Sequence, residues 1–406
     1  MPRWMKWTLG GVLGLLVLLA VAVGALWRWA GSDDFRSRAQ QAATGALGVP
    51  VQLGRIDLTA WPAPAVAVHD VQVQTKPPVR LERVELHPLW RSLLAGRPEL
   101  DALVVRNAQL PQQGLVALAA AAQKDGGKTP SASAAPPLPR RIVLEQVTWV
   151  DEKGQPFTVD AQIAFAGEPL PQTARVDVVG GRFKGAKAKV ERQADTWQLR
   201  ADIGGGTVTG PLRLQPMRTG GWRLSGEFAT DKVEVAALTA PSRTLTGRLD
   251  ARTTLQAEFK EASQLADAVR SQTRFTVRQA VLHGIDLAQA VRTMGVSRGG
   301  QTALDTLSGQ VATQGRNVQL SQLVASSGLL SANGNVKLAA DRKLSGRVLV
   351  ALTAGPVGTL AGVPLQVAGT LDAPSVVPVG VALPGTGTAV DLGGKLGSGI
   401  RGLFGK

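Results

Sequence analysis

His69, His87 and His283 are the only histidines in a chain of 406 residues that has no cysteine. None has a His-x-x-His partner or a thiolate beside it, so the ligand spacing of a zinc or transition-metal site is missing. A structural or exposed role is the ordinary reading of all three. "GGRFKGAK", residues 180–187, has the glycines and lysines of a phosphate loop. It lacks the Gly-Lys-Ser/Thr ending that reaches phosphate and magnesium. Arg182, Lys184, Lys187, Lys189 and Arg192 form a basic cluster. A solvated strand edge guarded by lysine is its default reading, and contact with lipid headgroups is the sharper one. "LPGTG" at 383–387 matches a sorting signal by pattern, but the segment after it carries Asp391 and Lys395 and is too polar to span a membrane. Asp160, Asp202, Glu227 and Asp250 sit on polar strand faces as solvated carboxylates. No nucleophile–base pair, carboxylate pair or metal cluster stands out, so neither catalysis, cofactor nor metal is expected.

What the sequence repeats is apolar alternation. Phe157, Val159, Ala161, Ile163 and Phe165 share one parity against Thr158, Asp160, Gln162 and Ala164. Trp197, Leu199, Ala201 and Ile203 do the same, as do Trp222, Leu224 and Phe228, then Leu245, Leu249, Ala251 and Leu255. Val336 and Leu338, then Val348 and Val350, then Leu365 and Val367 continue the pattern late in the chain. Period-2 alternation makes strands with one apolar and one polar face. Consecutive strands of this kind imply antiparallel meanders. Two solutions bury such faces: a sandwich in which they cover each other, or one curved sheet whose apolar side holds an apolar ligand. Periodicity does not choose between them.

Helices and turns must position these strands. Ser32 is placed to cap a helix opening at Asp33-Asp34 and closing at Gly48. Residues 114–124, 260–271 and 284–295 read as helices, the last with Asp286 as N-cap, and 88–96 as a short helix or turn. Val66 and Val68, then Val71 and Val73, change parity near His69-Asp70, which suggests a bulge. Asn333-Gly334 suits a tight hairpin turn, and Asp341-Arg342-Lys343 a second turn. Composition agrees with many short strands: 47 Gly, 24 Pro, 44% hydrophobic and 18% charged residues. The formal charge of +15 favours anionic partners. With only 4% aromatic residues, stacking on nucleic acid has little to offer, and no nucleic-acid partner is expected.

Residues 8–27, "TLGGVLGLLVLLAVAVGALW", carry no charge and are long enough to cross a bilayer of about 30 Å. Trp4 and Trp7 at one end and Trp27 and Trp29 at the other suit the two membrane interfaces. A cleaved signal peptide usually has a shorter apolar core, of about 7–15 residues, so a retained anchor is the favoured reading.

Several stretches in order resemble the AsmA family of Gram-negative envelope proteins. The N-terminal anchor is followed by "GVPVQLGRIDLTAWPAPAVAVHDVQV" and "LHPLWRSLLAGRPELDALVVRNAQL". The C-terminal half adds "HGIDLAQAVR", "LDTLSGQVATQGRNVQLSQLVASSGLLSANGNVKLAADRKLSG", "VAGTLDAPSV" and a Gly-rich tail. The likeness is weakest over 142–260, and the ordered set carries it rather than any one motif. That family is similar to bridge-like lipid transfer proteins, and the resemblance implies a groove rather than a sandwich. With roughly fifteen strands spaced about 4.8 Å apart, the sheet is expected to be about 70 Å long, short for bridging two membranes alone.

The expected fold is mainly β with a few helices: an N-terminal transmembrane helix, then an elongated, curved antiparallel sheet forming an apolar groove. The expected divisions are 1–30 stub and anchor, 31–123 N-terminal α+β groove domain, 124–141 flexible linker, 142–377 β-rich groove domain and 378–406 Gly-rich tail. The resemblance implies a single-pass inner-membrane protein with a periplasmic body, holding phospholipid acyl chains and supporting lipid transport and outer-membrane integrity. Candidate groove residues are Phe157, Val159, Ile163, Phe165, Trp197, Leu199, Ile203, Trp222, Leu224, Phe228, Leu245, Leu249, Val336, Leu338, Val348, Val350, Leu365 and Val367. Phospholipids and the inner membrane are the expected partners, with outer-membrane or periplasmic proteins as a further class. The alternative is a structural or chaperone factor in outer-membrane protein assembly, and a third class is an envelope hydrolase.

Overall fold

The computed structural model describes residues 33–379 apart from 60–64, 90–91, 93–98, 125–138, 152–153, 169, 219, 241–242, 261–263, 294–298, 316 and 353–361. The span at 8–27, Trp4, Trp7, Trp27, Trp29 and the tail from 380 lie outside the described residues. Among the described residues no helix is long and apolar enough to cross a membrane.

The chain is mainly β, and its twenty strands belong to one hydrogen-bonded sheet. It groups into two compact units. The first takes residues up to Val233 together with Thr254–Val269; the second takes Glu234–Thr253 and residues from Arg270 onward. Residues 125–138 of the expected linker lie outside the described residues, and the strands that flank it, at Leu100–Pro111 and Arg141–Val150, pair within the first unit.

The first unit opens with helix α1 (Asp33–Leu47), closed by Gly48 at φ 66° as expected. Strands β1 (Val51–Gln52) and β2 (Ile56–Thr59) both pair with β3 (Ala65–Val73). Then come β4 (Val79–Pro88), β5 (Leu100–Pro111) and helix α2 (Gln112–Lys124). A meander follows: β6 (Arg141–Val150), β7 (Pro156–Phe165), β8 (Pro171–Gly180), β9 (Lys187–Gln193), β10 (Thr196–Ile203), β11 (Gly206–Pro216) and β12 (Trp222–Glu234).

Every pairing described is antiparallel except β5 with β6, which run parallel. That corrects the purely antiparallel expectation. A parallel neighbour needs a long crossover, and the stretch from Gln112 to Arg140, with α2 in it, returns the chain to the same end of the sheet. The bulge expected near His69-Asp70 is present: Asp70 has φ 50°, and Val66, Val68, Val71 and Val73 are all buried on one face.

The second unit begins with helix α3 (Val235–Thr239), which the sequence reading did not anticipate. Strand β13 (Leu245–Phe259) runs from this unit into the first and leads to helix α4 (Leu265–Ala268). Next come β14 (Arg270–His283), helix α5 (Leu287–Thr293), β15 (Gln301–Gln314), β16 (Asn317–Ser327), β17 (Leu330–Leu338), β18 (Leu344–Leu352), β19 (Val363–Gly369) and β20 (Pro374–Pro378). Asp286 caps α5 as expected, its Oδ1 accepting from Gln289 N at 2.9 Å.

Two expectations fail here. The helix expected over 260–271 ends at Ala268, because Arg270 and Ser271 already pair with Gln314 and Thr313. Asn333-Gly334 is no turn: both residues lie inside β17, opposite Leu349 and Val348. A Cβ on Gly334 would meet Arg347 O at 2.2 Å, so the glycine permits a close backbone approach instead of a reversal. The expected turn at 341–343 does form, between β17 and β18.

A candidate apolar face on the first unit

The register of the first unit joins its apolar residues into rows. One row runs Val66, Leu86, Leu103, Ile142, Ile163, Ala174, Val190, Leu199, each residue opposite the next. A second runs Val68, Val84, Val105, Leu144, Ala161, Val176, Ala188, Ala201, Val208. Paired residues share a face, so these rows make one apolar surface from β3 to β11. The opposite face carries rows such as Gln162, Arg175, Lys189, Arg200 and Asp160, Asp177, Lys187, Asp202.

Over β3–β5 this surface is a closed core. Ala39, Ala43 and Leu47 of α1 are buried in one cluster with Val68, Val84, Leu86 and Leu103, and Leu115 and Leu118 of α2 pack against it. The cluster extends to Val147 of β6, with Val159 of β7 packed against it. Among the described residues, β8, β9 and β10 contribute to none of the three clusters of buried hydrophobic residues. Phe157, Val159, Ile163, Phe165, Leu199 and Ile203 are half-buried. Trp197 is buried, its indole N–H donating to Pro171 O at 2.9 Å and its ring facing the Arg192 guanidinium at 5.3 Å.

The remaining sequence candidates sit differently. Trp222 forms a buried cluster with Ala257 and Phe259, against which Leu224, Leu265 of α4 and Val269 pack. Phe228 is half-buried, its ring over Gly226, where a Cβ would lie 2.7 Å away. In the second unit, Val350 and Leu365 have no exposed surface, and Val367 is also buried. They share a cluster with Ala290 and Val291 of α5, which packs on β15, β18 and β20. Leu245, Leu249, Val336 and Val348 are partly buried at the margin of that cluster. Leu338 is half-buried outside it. The register sets Ile163 of β7 and Leu199 of β10 in one row with Ala174 and Val190 between them, and the fold gives the candidates of β18 and β19 a protein cover.

The basic cluster divides by register. Arg182 and Lys184 lie in the hairpin between β8 and β9, where Arg182 stacks on Phe183 at 4.9 Å. Lys187 and Lys189 point to the polar face. Arg192 has the parity of Ala188 and Val190 and falls on the apolar side, opposite Trp197. β9 is paired on both sides, so the reading of this cluster as a strand edge is overturned. No helix follows "GGRFKGAK"; a strand does, as the missing phosphate-loop ending implied.

The histidines do not converge. His87 Nε2 lies 3.3 Å from Glu85 Oε2, His69 Nε2 lies 3.1 Å from Asp57, and His283 Nε2 lies 3.3 Å from Thr246 Oγ1. Among the described residues no three potential metal ligands come together. On the polar face of β4–β6 an open depression of about 800 Å³ is lined by Glu85, Asp101 and Glu145 and by Arg106, Arg140 and Arg141. These charges pair among themselves: Arg106 with Glu145 at 2.9 Å and Arg141 with Asp101 at 3.1 Å. Buried Glu85 is held by Arg83 at 2.6 Å and Arg106 at 3.5 Å. Among the described lining residues the three carboxylates and three guanidiniums balance.

Comparison with protein-family profiles, curated proteins and solved structures finds no match for this chain.

Proposed function

We propose that the apolar face of β6–β11 holds the acyl chains of phospholipids, in an inner-membrane-anchored envelope protein that supports lipid transport and outer-membrane integrity. One observation carries this reading. The same apolar rows that α1 and α2 cover over β3–β5 continue over β8–β10, where no described residue joins a buried cluster. Half-exposed Phe, Ile, Val and Leu in register leave a free-energy gain for an apolar occupant, about 0.8 kcal/mol for each methylene removed from water. An acyl chain needs no polar partner, and the rows between Ile142 and Leu199 offer none. The AsmA resemblance of both chain ends and the uncharged stretch at 8–27 support a place at the inner membrane, with the body in the periplasm. A groove-like curvature of the sheet belongs to this proposal, as does a non-catalytic role.

The test is photocrosslinking in cells from Phe165 and Leu199 on the apolar face, with Arg200 on the polar face as control. Phospholipid adducts at the first two positions and none at the third are the expected result. Outer-membrane protein adducts in their place would favour the chaperone role, in which the face receives unfolded strands. Equal labelling at all three positions would reject a binding face on β6–β11.

A further inference from the structure

Arg192 is the one charged residue that register places within the apolar side of β7–β10 among the described residues. Its side chain is 17% exposed. A guanidinium in such a place needs an anion, since an uncompensated buried charge is expensive. The protein supplies Glu168, from the loop between β7 and β8, as an ion-pair partner. Glu168 is 60% exposed, so its carboxylate keeps most of its water and can leave the pair at modest cost. Two further contacts fix the cation itself. Arg192 Nε donates to Ala194 O at 3.0 Å, and the ring of Trp197, held by its own bond to Pro171 O, faces the guanidinium. The arginine is thus oriented by the strand end, while its counter-ion comes from an exposed loop.

We infer that Arg192 anchors the phosphate of a phospholipid headgroup at the rim of the apolar face, with Glu168 occupying the guanidinium when no lipid is bound. This rests on the reading of β6–β11 as an acyl-chain surface. A guanidinium fork matches a phosphate diester through two parallel N–H···O bonds, which a carboxylate from a loop imitates. Phe165, opposite Pro171 in the row beside Ile163, leads from this rim into the apolar rows. A headgroup at Arg192 would therefore have its chains directed along Ile163, Val190 and Leu199.

The experiment loads the full chain, in detergent, with an equimolar mixture of phosphatidylglycerol and diacylglycerol of the same chains. The ratio of the two retained lipids is then read by mass spectrometry. Arg192→Met should lower the phosphatidylglycerol share about tenfold or more, because a charge-assisted pair is lost while the stem still covers Trp197. Diacylglycerol retention should stay unchanged. Glu168→Gln, which leaves the apolar face intact, should raise the phosphatidylglycerol share by removing the competing carboxylate. If both variants keep the wild-type ratio, or if Arg192→Met loses both lipids equally, the headgroup role is overturned while acyl binding stands. Oleate, offered separately, must not depend on Arg192 more strongly than phosphatidylglycerol does, or a free carboxylate rather than a phosphodiester is the ligand. A wild-type chain that retains neither lipid would overturn the acyl-chain reading and this inference with it.

Discussion

β3–β5 and β7–β10 share the same rows, the same residue types and one compact unit, yet they end in different environments. Val84 and Leu86 are sealed beneath α1 and α2, with exposures of 1% and 0%. Ile163 and Leu199, which continue the row of Leu86 through Leu103 and Ile142, are half-buried. The difference lies in the third dimension. Helix α1 precedes β1, and α2 is carried in the crossover between β5 and β6, so both helices fall on one end of the row. The meander from β6 to β12 is built of hairpins too short to bring a helix back. Among the described residues, one end of the row is a closed core and β8–β10 join no buried cluster.

The largest effect separating the two regions should come from a buried charge. Val84→Asp is expected to prevent folding, since its carboxylate would lie in a closed core at a cost of several kcal/mol. Leu199→Asp should fold, melt cooperatively and lose phospholipid adducts. Circular dichroism with crosslinking reads both outcomes, and equal unfolding of the two variants would make β7–β10 an ordinary core.

Truncation should give a smaller contrast. Leu86→Ala opens a cavity under α1 and α2 and should cost about 2–5 kcal/mol. Ile163→Ala leaves no closed cavity and should cost about 1–2 kcal/mol, mostly lost apolar burial. Urea denaturation measures both, and near-equal values would erase the distinction.

The smallest effect belongs to an exposed control in the second unit. The ammonium of Lys343 lies 2.8 Å from Asp341, whose Oδ1 also accepts from Lys343 N at 3.2 Å. The side-chain bond to Lys343 holds the Asp341 carboxyl below its ordinary value of 3.8, and the reciprocal bond holds the Lys343 ammonium above 10.5. A depressed acid contributes above its ordinary value and loses that contribution as pH falls through its folded value. A raised amine contributes below its ordinary value and loses it as pH rises through its folded value. Asp341→Asn should therefore leave the melting temperature within error at neutral pH, because a fully exposed pair is screened by water. Any small difference from wild type should disappear on acidification below the ordinary carboxylate range.

Much of the fold was legible because parity is local. Phe157 to Phe165 and Trp197 to Ile203 lie on strands at the expected parity, α1 ends at Gly48, and α5 begins after Asp286. Misreadings arose where partners override local preference. Asn333-Gly334 has the chemistry of a turn, but β16 and β18 pair across it and draw it into a strand. Residues 270 and 271 have helical spacing with 260–268, but β15 takes them. Arg192 was grouped with Lys187 and Lys189 by charge, although its spacing from Val190 already placed it on the other side.

By itself the sequence determined that this chain alternates, and hence that it makes strands with one apolar face, since side-chain direction follows from the backbone repeat alone. It also determined two of the helix limits, because a capping aspartate and a closing glycine act within a few bonds. Only the tertiary structure decided which apolar residues meet a helix and which do not. Val350 and Leu199 look alike in sequence, but α5 lies over one and no described cluster includes the other. Cover depends on residues far apart in the chain being brought together by strand order and crossover, and local periodicity carries no record of that.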